Sequence, residues 1–324
     1  MKDLDAAGLD CLAALADERS FERAAETLSI TQSAVSQRLR SLEAQVGQLL
    51  VVRSRPLRLT EPGKRLLRYA RQLHALRSDV VRELGVRAAT PERLPIAVNA
   101  DSLATWVLPA LDPLVQRGLR EGFGLELVVD DQDFTHDWLR QGEVLGCVTT
   151  VKQALRGCVA QPLGVMRYVA VASPEFMQRE LPQGLGAAAV AQVPFLVFNR
   201  KDDTQQQWVR QALGLRSARL NARYVPSSEA YVQAVRKGWG IGVAPELQIR
   251  PLLERDELVV IRPDLHVEVA LYWHQWKLGA ETEAAHAAPP SLLDQIGEAL
   301  ALGAKNALQD SGAWQSQAAT PSDR

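Results

Sequence analysis

The segment 20–47, SFERAAETLSITQSAVSQRLRSLEAQVG, constrains this chain more than any other. It has the spacing of two short helices joined by a tight turn. Ser20 is suited to an N-cap, where its hydroxyl accepts an orphan backbone N–H. Phe21, Ala24, Ala25 and Leu28 then recur at helical spacing. Ser29 and Ile30 form the turn, with Ile30 plugging a small core. Thr31 caps the second helix, whose Ala34, Val35, Leu39, Leu42 and Val46 face inward, and Gly47 is placed to stop it. The outward positions are Gln32, Ser33, Ser36, Gln37, Arg38 and Arg40. Pattern alone leaves two readings: an amphipathic hairpin with a solvated face, or a helix-turn-helix that inserts the start of its second helix into a DNA major groove. The outward residues suit a groove, since Gln pairs bidentately with adenine, Arg with guanine, and Ser with phosphate or a base edge.

The downstream sequence favours the second reading. Leu49–Val52 and Arg53–Leu59 read as two short strands around a basic tip, a wing beside the helices. Residues 31–77 hold ten Lys/Arg (38, 40, 53, 55, 58, 64, 65, 68, 71, 77) against Glu43 and Glu61, a local charge of +8 in a chain of net −1. A basic segment concentrated in a neutral chain is the footprint of polyanion binding. The partner expected is double-stranded promoter DNA, with Arg53, Arg55 and the start of the next helix on phosphates.

Thr60 can cap that next helix, and Pro62 sits early, where proline is tolerated. Leu66, Ala70, Leu73, Arg77, Val80 and Leu84 follow a 4-3 alternation, a coiled-coil seam with Arg77 as the exception. A two-fold partner on this seam would place two reading helices at spaced half-sites; the alternative is packing against the chain's own N-terminal helices. Residues 85–95, with two prolines, read as a linker.

The 324 residues suggest two or three domains, and 47% hydrophobic content suffices for real cores. No apolar run approaches membrane-spanning length. The N-terminus carries acids where a signal peptide needs basic residues. It reads as a helix with Leu4, Leu9, Leu12, Leu15 and Ala16 inward. Cys11, Cys147 and Cys158 form neither a CxxC nor a disulfide framework, consistent with a reducing cytoplasm. They are read as small apolar residues.

From residue 94 onward strands and helices alternate. Strands are expected at 94–99, 125–129, 144–149, 168–172, 195–198, 223–225, 241–243, 258–261 and 267–273, with helices at 101–111, 134–141, 205–213, 228–237 and 291–302. This is an α/β pattern with a mostly parallel sheet, or two of them, and such folds bind ligands beyond the carboxyl ends of their strands. The tail at 303–324, rich in Gln, Ala, Ser and Asp, reads as disordered.

These features together resemble a LysR-type transcriptional regulator over nearly the whole chain. FERAAETLSITQSAVSQRLRSLEAQVG is similar to that family's helix-turn-helix, and LRLTEPGKRLL to its junction of wing and linker helix. The arginine/lysine-responsive regulators of basic amino acid exporter genes are the most similar subgroup, on ITQSAVSQR (30–38), AVNADSLATW (97–106), SSEAYVQ (227–233) and LYWH (271–274). The resemblance implies a winged helix-turn-helix at 1–60, a linker and dimerisation helix at 61–92, and an effector domain at 93–302. That domain would comprise two Rossmann-like subdomains, as in periplasmic binding proteins: subdomain I over 93–163 and 267–302, subdomain II over 164–266. It also implies an effector between the subdomains, homodimers pairing into tetramers, engagement of RNA polymerase, and action in the bacterial cytoplasm on the nucleoid. The wing departs from the family in lacking a glycine at its tip, where Pro56 can supply the turn. That weakens the minor-groove role of Arg55 and Arg58.

A free amino acid needs partners for its carboxylate and its ammonium. Ser102, after the first strand, has a hydroxyl suited to an α-carboxylate, or to a plain N-cap. Asn99 can orient the ligand, and Thr149 and Thr150 end a strand near the subdomain boundary. A lysine or arginine side chain needs an acid, and the candidates are Asp130, Asp131, Asp133, Asp202, Asp203 and Glu229. Asp203 and Glu229 rank first because each follows a strand, with Asn199 similarly placed. Trp106, Trp273 and Trp276 read as packing residues. Three functions stay open: an effector-responsive transcription factor, an enzyme, or an effector-independent DNA-binding protein that bends DNA or blocks replication initiation. GxSxG, P-loop and HExxH motifs are missing, as is a full dinucleotide fingerprint, and the five histidines lack ligand spacing. No cofactor is expected beyond a small-molecule effector.

Overall fold

The computed structural model describes residues 4–85, 92–130, 135–215, 219–277 and 290–308. The expectations for Asp131, Asp133, most of the linker and the tail beyond residue 308 lie outside the described residues.

Three helices open the chain: α1 (Ala6–Glu18), α2 (Phe21–Thr27) and α3 (Gln32–Val46). Each starts on a side-chain cap. Asp5 accepts from Gly8 N, Ser20 from Arg23 N and Thr31 from Ala34 N, and each cap satisfies a donor the helix cannot. Ser29 takes φ +53° to make the turn, and Gly47 ends α3 at φ +74°. Leu12, Leu15, Leu39, Leu42 and Leu50 are fully buried in one core, each contributing about 1.5–3 kcal/mol. The wing follows as β1 (Val51–Val52) antiparallel to β2 (Arg58–Leu59).

Helix α4 (Glu61–Glu83) is capped by Thr60 and carries Pro62 in its first turn. Its predicted seam splits. Ala70 is buried in the winged-helix core, with Leu66 and Leu73 packed against it, so the first half of the stripe is used within the chain. Val80 and Leu84 remain 53% and 73% exposed, and Tyr69 and Leu76 join them at 46% and 39%. The outward apolar strip is therefore Tyr69, Leu76, Val80 and Leu84, not the full predicted set.

The same helix meets the second domain. The Arg71 guanidinium donates to Gly142 O at 3.0 Å, and also to Glu143 O and to Asp17 of α1. Arg19 pairs with Glu143 at 3.7 Å. Arg68 lies 4.8 Å from the centre of the Trp276 ring. Gly142 sits so close to Arg68 that a Cβ there would fall 2.9 Å from helix backbone.

The second domain begins with β3 (Glu92–Asn99), which runs through Pro95, so the linker is shorter than expected. Next come α5 (Ala100–Ser102), a π-helical turn (Leu103–Val107), α6 (Leu108–Glu121), β4 (Phe123–Asp130), α7 (Thr135–Gln141) and β5 (Gly146–Thr149). The π turn precedes Pro109, which cannot donate to the carbonyl four residues back and whose ring crowds it. There follow β6 (Cys158–Ala172), α8 (Pro174–Glu180), α9 (Ala187–Val190), β7 (Pro194–Val197), α10 (Thr204–Leu213) and β8 (Asn221–Tyr224). The chain continues through α11 (Ser228–Arg236), β9 (Gly242–Pro245), α12 (Glu246–Leu253), β10 (Val259–Val260), β11 (Val267–Trp276) and α13 (Leu292–Ala307).

β3 pairs in parallel with β4 and β5, and β7 with β8. The sheets are nonetheless mixed rather than mostly parallel. β6 and β11 are long and antiparallel, and β9 and β10 join β6 antiparallel. β6 runs past the predicted subdomain boundary at 163/164 without a break. Its first half, with β11, β5, β3 and β4, belongs to one lobe, and its second half, with β9 and β10, to the other. The register of the β6–β11 ladder shifts between Leu271 and Tyr272. α13 extends to Ala307 with Leu300 and Ala304 buried, so helix occupies the start of the predicted tail: its apolar spacing continues past Leu302. No helix among the described residues is long and apolar enough to cross a membrane.

Candidate functional site

On the winged helix, Gln32, Ser33 and Gln37 are exposed along the first turns of α3, and Ser36 is half-buried. Thr31 and Ser33 hydroxyls are 2.9 Å apart, and Thr31 is engaged as the cap. Two predicted outward residues are drawn back to the protein. Arg38 is half-buried with its guanidinium beside the Cys11 thiol, and Arg40 Nε donates to Ser36 O of its own helix at 3.2 Å. In the wing Arg53, Arg55 and Arg58 are exposed, with Arg53 stacked 5.1 Å from the centre of the Phe21 ring. The basic wing thus flanks the exposed polar face of α3.

Between the lobes lies a cleft walled by Asn99 and Asp101 from one side and Asp202, Thr204, Gln205, Ser228 and Tyr231 from the other, with Tyr168 also lining it. Strand ends and helix starts converge here: β3 runs into α5, and α10 and α11 begin at Thr204 and Ser228. Asp101 bridges the lobes. Its Oδ1 accepts from Ser228 Oγ at 2.6 Å and its Oδ2 from Tyr168 OH at 2.8 Å. Burial pushes its carboxyl up and neighbouring Asp202 adds to this, against the two hydrogen bonds that stabilise the charge. Asp202 accepts from Thr204 N at 3.0 Å and Phe198 N at 3.2 Å, which fixes its carboxylate on the cleft wall.

Of the effector residues expected from sequence, Asn99 lines the cleft. Ser102 and Thr149 are fully buried and do not line it, and Thr149 Oγ1 accepts from Val151 N at 3.3 Å. Asn199 Oδ1 accepts from Lys201 N and Asp202 N, shaping the loop that carries Asp202. Asp203 and Glu229 do not face the cleft. Asp203 is exposed and accepts from Gln207 Nε2 at 2.7 Å, and Glu229 points outward from the first turn of α11. The acids the cleft does present are Asp101, which sequence reasoning passed over as the start of a helix, and Asp202, one residue from the favoured candidate. The place of Asp101 in the cleft leaves no local sequence signal, because its contacts to Tyr168 and Ser228 reach across 67 and 127 residues.

A winged helix with an exposed polar face, tied by one long helix to a two-lobed domain with a polar cleft between the lobes, defines a DNA-binding regulator governed by a small molecule. The chain belongs to the LysR family: the model for the bacterial regulatory helix-turn-helix protein, lysR family, matches residues 7–64, and the LysR substrate binding domain matches residues 88–287. It is 42% identical over 279 residues to the HTH-type transcriptional regulator ArgP of Aeromonas salmonicida, covering 86% of this chain and 92% of the relative. Among solved structures, ArgP from Mycobacterium tuberculosis matches with a TM-score of 0.79 and 39% identity, covering 95% of this chain and 100% of that one. Full-length LysG from Corynebacterium glutamicum with bound effector Arg matches at 0.70 and 33%, covering 94% and 99%. The chain is accordingly an effector-responsive transcriptional regulator with an N-terminal DNA-binding domain, and not an enzyme.

Proposed function

We propose that this regulator responds to a basic amino acid, lysine or arginine, and controls genes of amino acid transport or metabolism. The observation that carries the reading is the charge of the cleft: Asp101 and Asp202 line it, and among the described residues none of its lining side chains is basic. A basic amino acid brings two cationic groups and one carboxylate. Its cations compensate the two acids, and its carboxylate is suited to the N-terminal N–H groups of α10 and α11. A neutral or acidic amino acid would leave an acid uncompensated in a low-dielectric site. LysG of Corynebacterium glutamicum, solved with arginine as its effector, supports the same reading.

On DNA, Gln32, Ser33, Ser36 and Gln37 read base edges, helped by Thr31, Arg38 and Arg40, while Arg53 and Arg55 hold phosphates. The strip Tyr69, Leu76, Val80 and Leu84 joins two copies into a dimer, and dimers pair into tetramers on promoter DNA in the bacterial cytoplasm, where they engage RNA polymerase. The effector acts only through a difference in affinity between two arrangements of the lobes.

Thermal shift and calorimetry of the purified chain with L-arginine, L-lysine, L-glutamine and L-glutamate test the reading. At a hundredfold excess over Kd a ligand stabilises by about 2.7 kcal/mol, a clear rise in Tm. The expected result is a response to arginine or lysine alone. A response confined to glutamine or glutamate removes the basic amino acid and leaves the family assignment standing.

A further inference from the structure

We infer that Gln205, with Asn99 opposite it, selects a guanidinium over an ammonium, so that the cleft prefers arginine to lysine. This rests on the basic amino acid reading and adds the residues that discriminate within that class.

Gln205 stands in the first turn of α10, buried on the cleft wall. Its orientation is fixed from behind. Gln205 Nε2 donates to Tyr231 OH at 3.2 Å, the same oxygen accepts from Val243 N at 2.9 Å, and the phenol gives its proton to Leu196 O at 3.0 Å. Turning the amide over would demand that proton and leave Leu196 O without it. Gln205 Oε1 is therefore held away from Tyr231, and it has no hydrogen-bond partner among the described residues. Asn99 mirrors it from the other lobe: it lines the cleft at 1% exposure, and its Oδ1 also lacks a partner among the described residues.

Buried carbonyl oxygens without donors are rare in folded proteins, and such groups mark places where a donor is still to arrive. Here two of them share one cleft with two carboxylates. With the α-ammonium on one of the two acids, a side-chain ammonium offers three donors from a single point. A guanidinium offers five, spread in a rigid plane that can reach acceptors on facing walls. Charge alone treats lysine and arginine alike, so the neutral amides are what tells them apart. A site built to hydrogen-bond a ligand discriminates against one lacking the donors, because its own polar groups are then left unpaired.

Calorimetry on the full-length protein with L-arginine and L-lysine tests this. The wild type is expected to bind arginine at least about tenfold more tightly than lysine. Gln205→Met keeps length and net charge but removes the acceptor. It is expected to lose about tenfold or more in arginine affinity with a smaller loss for lysine. Asn99→Ala, from the other lobe, is expected to show the same asymmetry, which covers the case in which the Gln205 variant fails to fold. A wild type that binds lysine as tightly as arginine overturns the selection while leaving the basic amino acid reading intact. Equal losses for the two ligands in both variants overturn it as well. A wild type that binds neither amino acid overturns the reading and the selection together.

Discussion

Gly142→Ala tests the joint between the DNA-binding half and the effector domain. Gly142 holds φ +76° in the turn between α7 and β5, and an added Cβ would meet Arg68 Cβ at 2.7 Å and its N and Cα at 2.9 Å. Two costs follow. An alanine in the left-handed region costs roughly 1–2 kcal/mol, which the turn bears whether or not it is docked. Overpacking against α4 costs about 1–3 kcal/mol, and relief is available only by moving the turn off the helix and giving up the Arg71 bonds to Gly142 O and Glu143 O. The second cost alone acts on the joint. About 1–3 kcal/mol is roughly a 5- to 150-fold shift toward the undocked arrangement. Hydrogen exchange followed by mass spectrometry reads it. Amides of the middle of α4 and of the 142–145 turn are expected to exchange faster by about that factor, while β3 and β5 keep their protection. If both segments exchange within about twofold of the parent protein, the joint is not formed in solution and the close approach at Arg68 has no energetic weight.

Three further outcomes are expected. Gln37 is exposed on α3, so Gln37→Ala should leave stability within about 0.5 kcal/mol and lower specific DNA affinity by about 1–3 kcal/mol, read by binding to promoter and random duplexes at one salt concentration; an equal loss on both would remove it from base readout. His274 is fully buried, its ring 5.4 Å from that of His136, and burial with this neighbour lowers its pKa from 6.5 to about 4. The unfolded chain therefore takes up the proton first, so stability present above pH 6.5 is lost as pH falls toward about 4, by about 3 kcal/mol; urea titrations of His274→Met should show a flatter profile over that window. Val80→Asp puts a charge into the exposed strip of α4 and should shift sedimentation toward monomer, while an unchanged oligomer would place the dimer contact elsewhere.

The two halves of the chain were unequally legible. The helix-turn-helix could be read almost residue by residue, because caps, turn and apolar face are all local and lie within a few residues of one another. Arg38 escaped that logic: its helical position points outward, yet a long side chain can fold back to Cys11 on another helix. The seam on α4 was visible as spacing, but spacing does not say which neighbour covers it, and the chain's own core claims Ala70. In the effector domain most of the expected strands and helices fall near their places, but β6 was expected only over its last five residues, 168–172, and pairing direction was not legible, since a long antiparallel strand and a buried parallel one both read as apolar runs. The cleft was the least legible part. Choosing Asp203 over Asp202 turned on a single residue, and the loop held by Asn199 and Thr204 aims the first of the pair inward. Asp101 draws its meaning from Ser228 and Tyr168, which periodicity cannot bring together.

The register shift between Leu271 and Tyr272 has a mechanical consequence. On β11, Leu271 faces Gly164 and Tyr272 faces Pro162, so Leu163 of β6 has no opposite number. Gly164 takes φ +138°, a conformation open to glycine. An extra residue in one strand bends and over-twists the ladder there, and this bend falls where the pair leaves one lobe for the other. The lobes are two leaves on one spine, the β6–β11 ladder that runs through both. Any swing of the lobes is taken up as torsion at Leu163–Gly164 and also costs the Asp101–Ser228 hydrogen bond across the cleft. Substitutions at this fulcrum are expected to change the angle the lobes can adopt without touching either the cleft or the DNA-reading face.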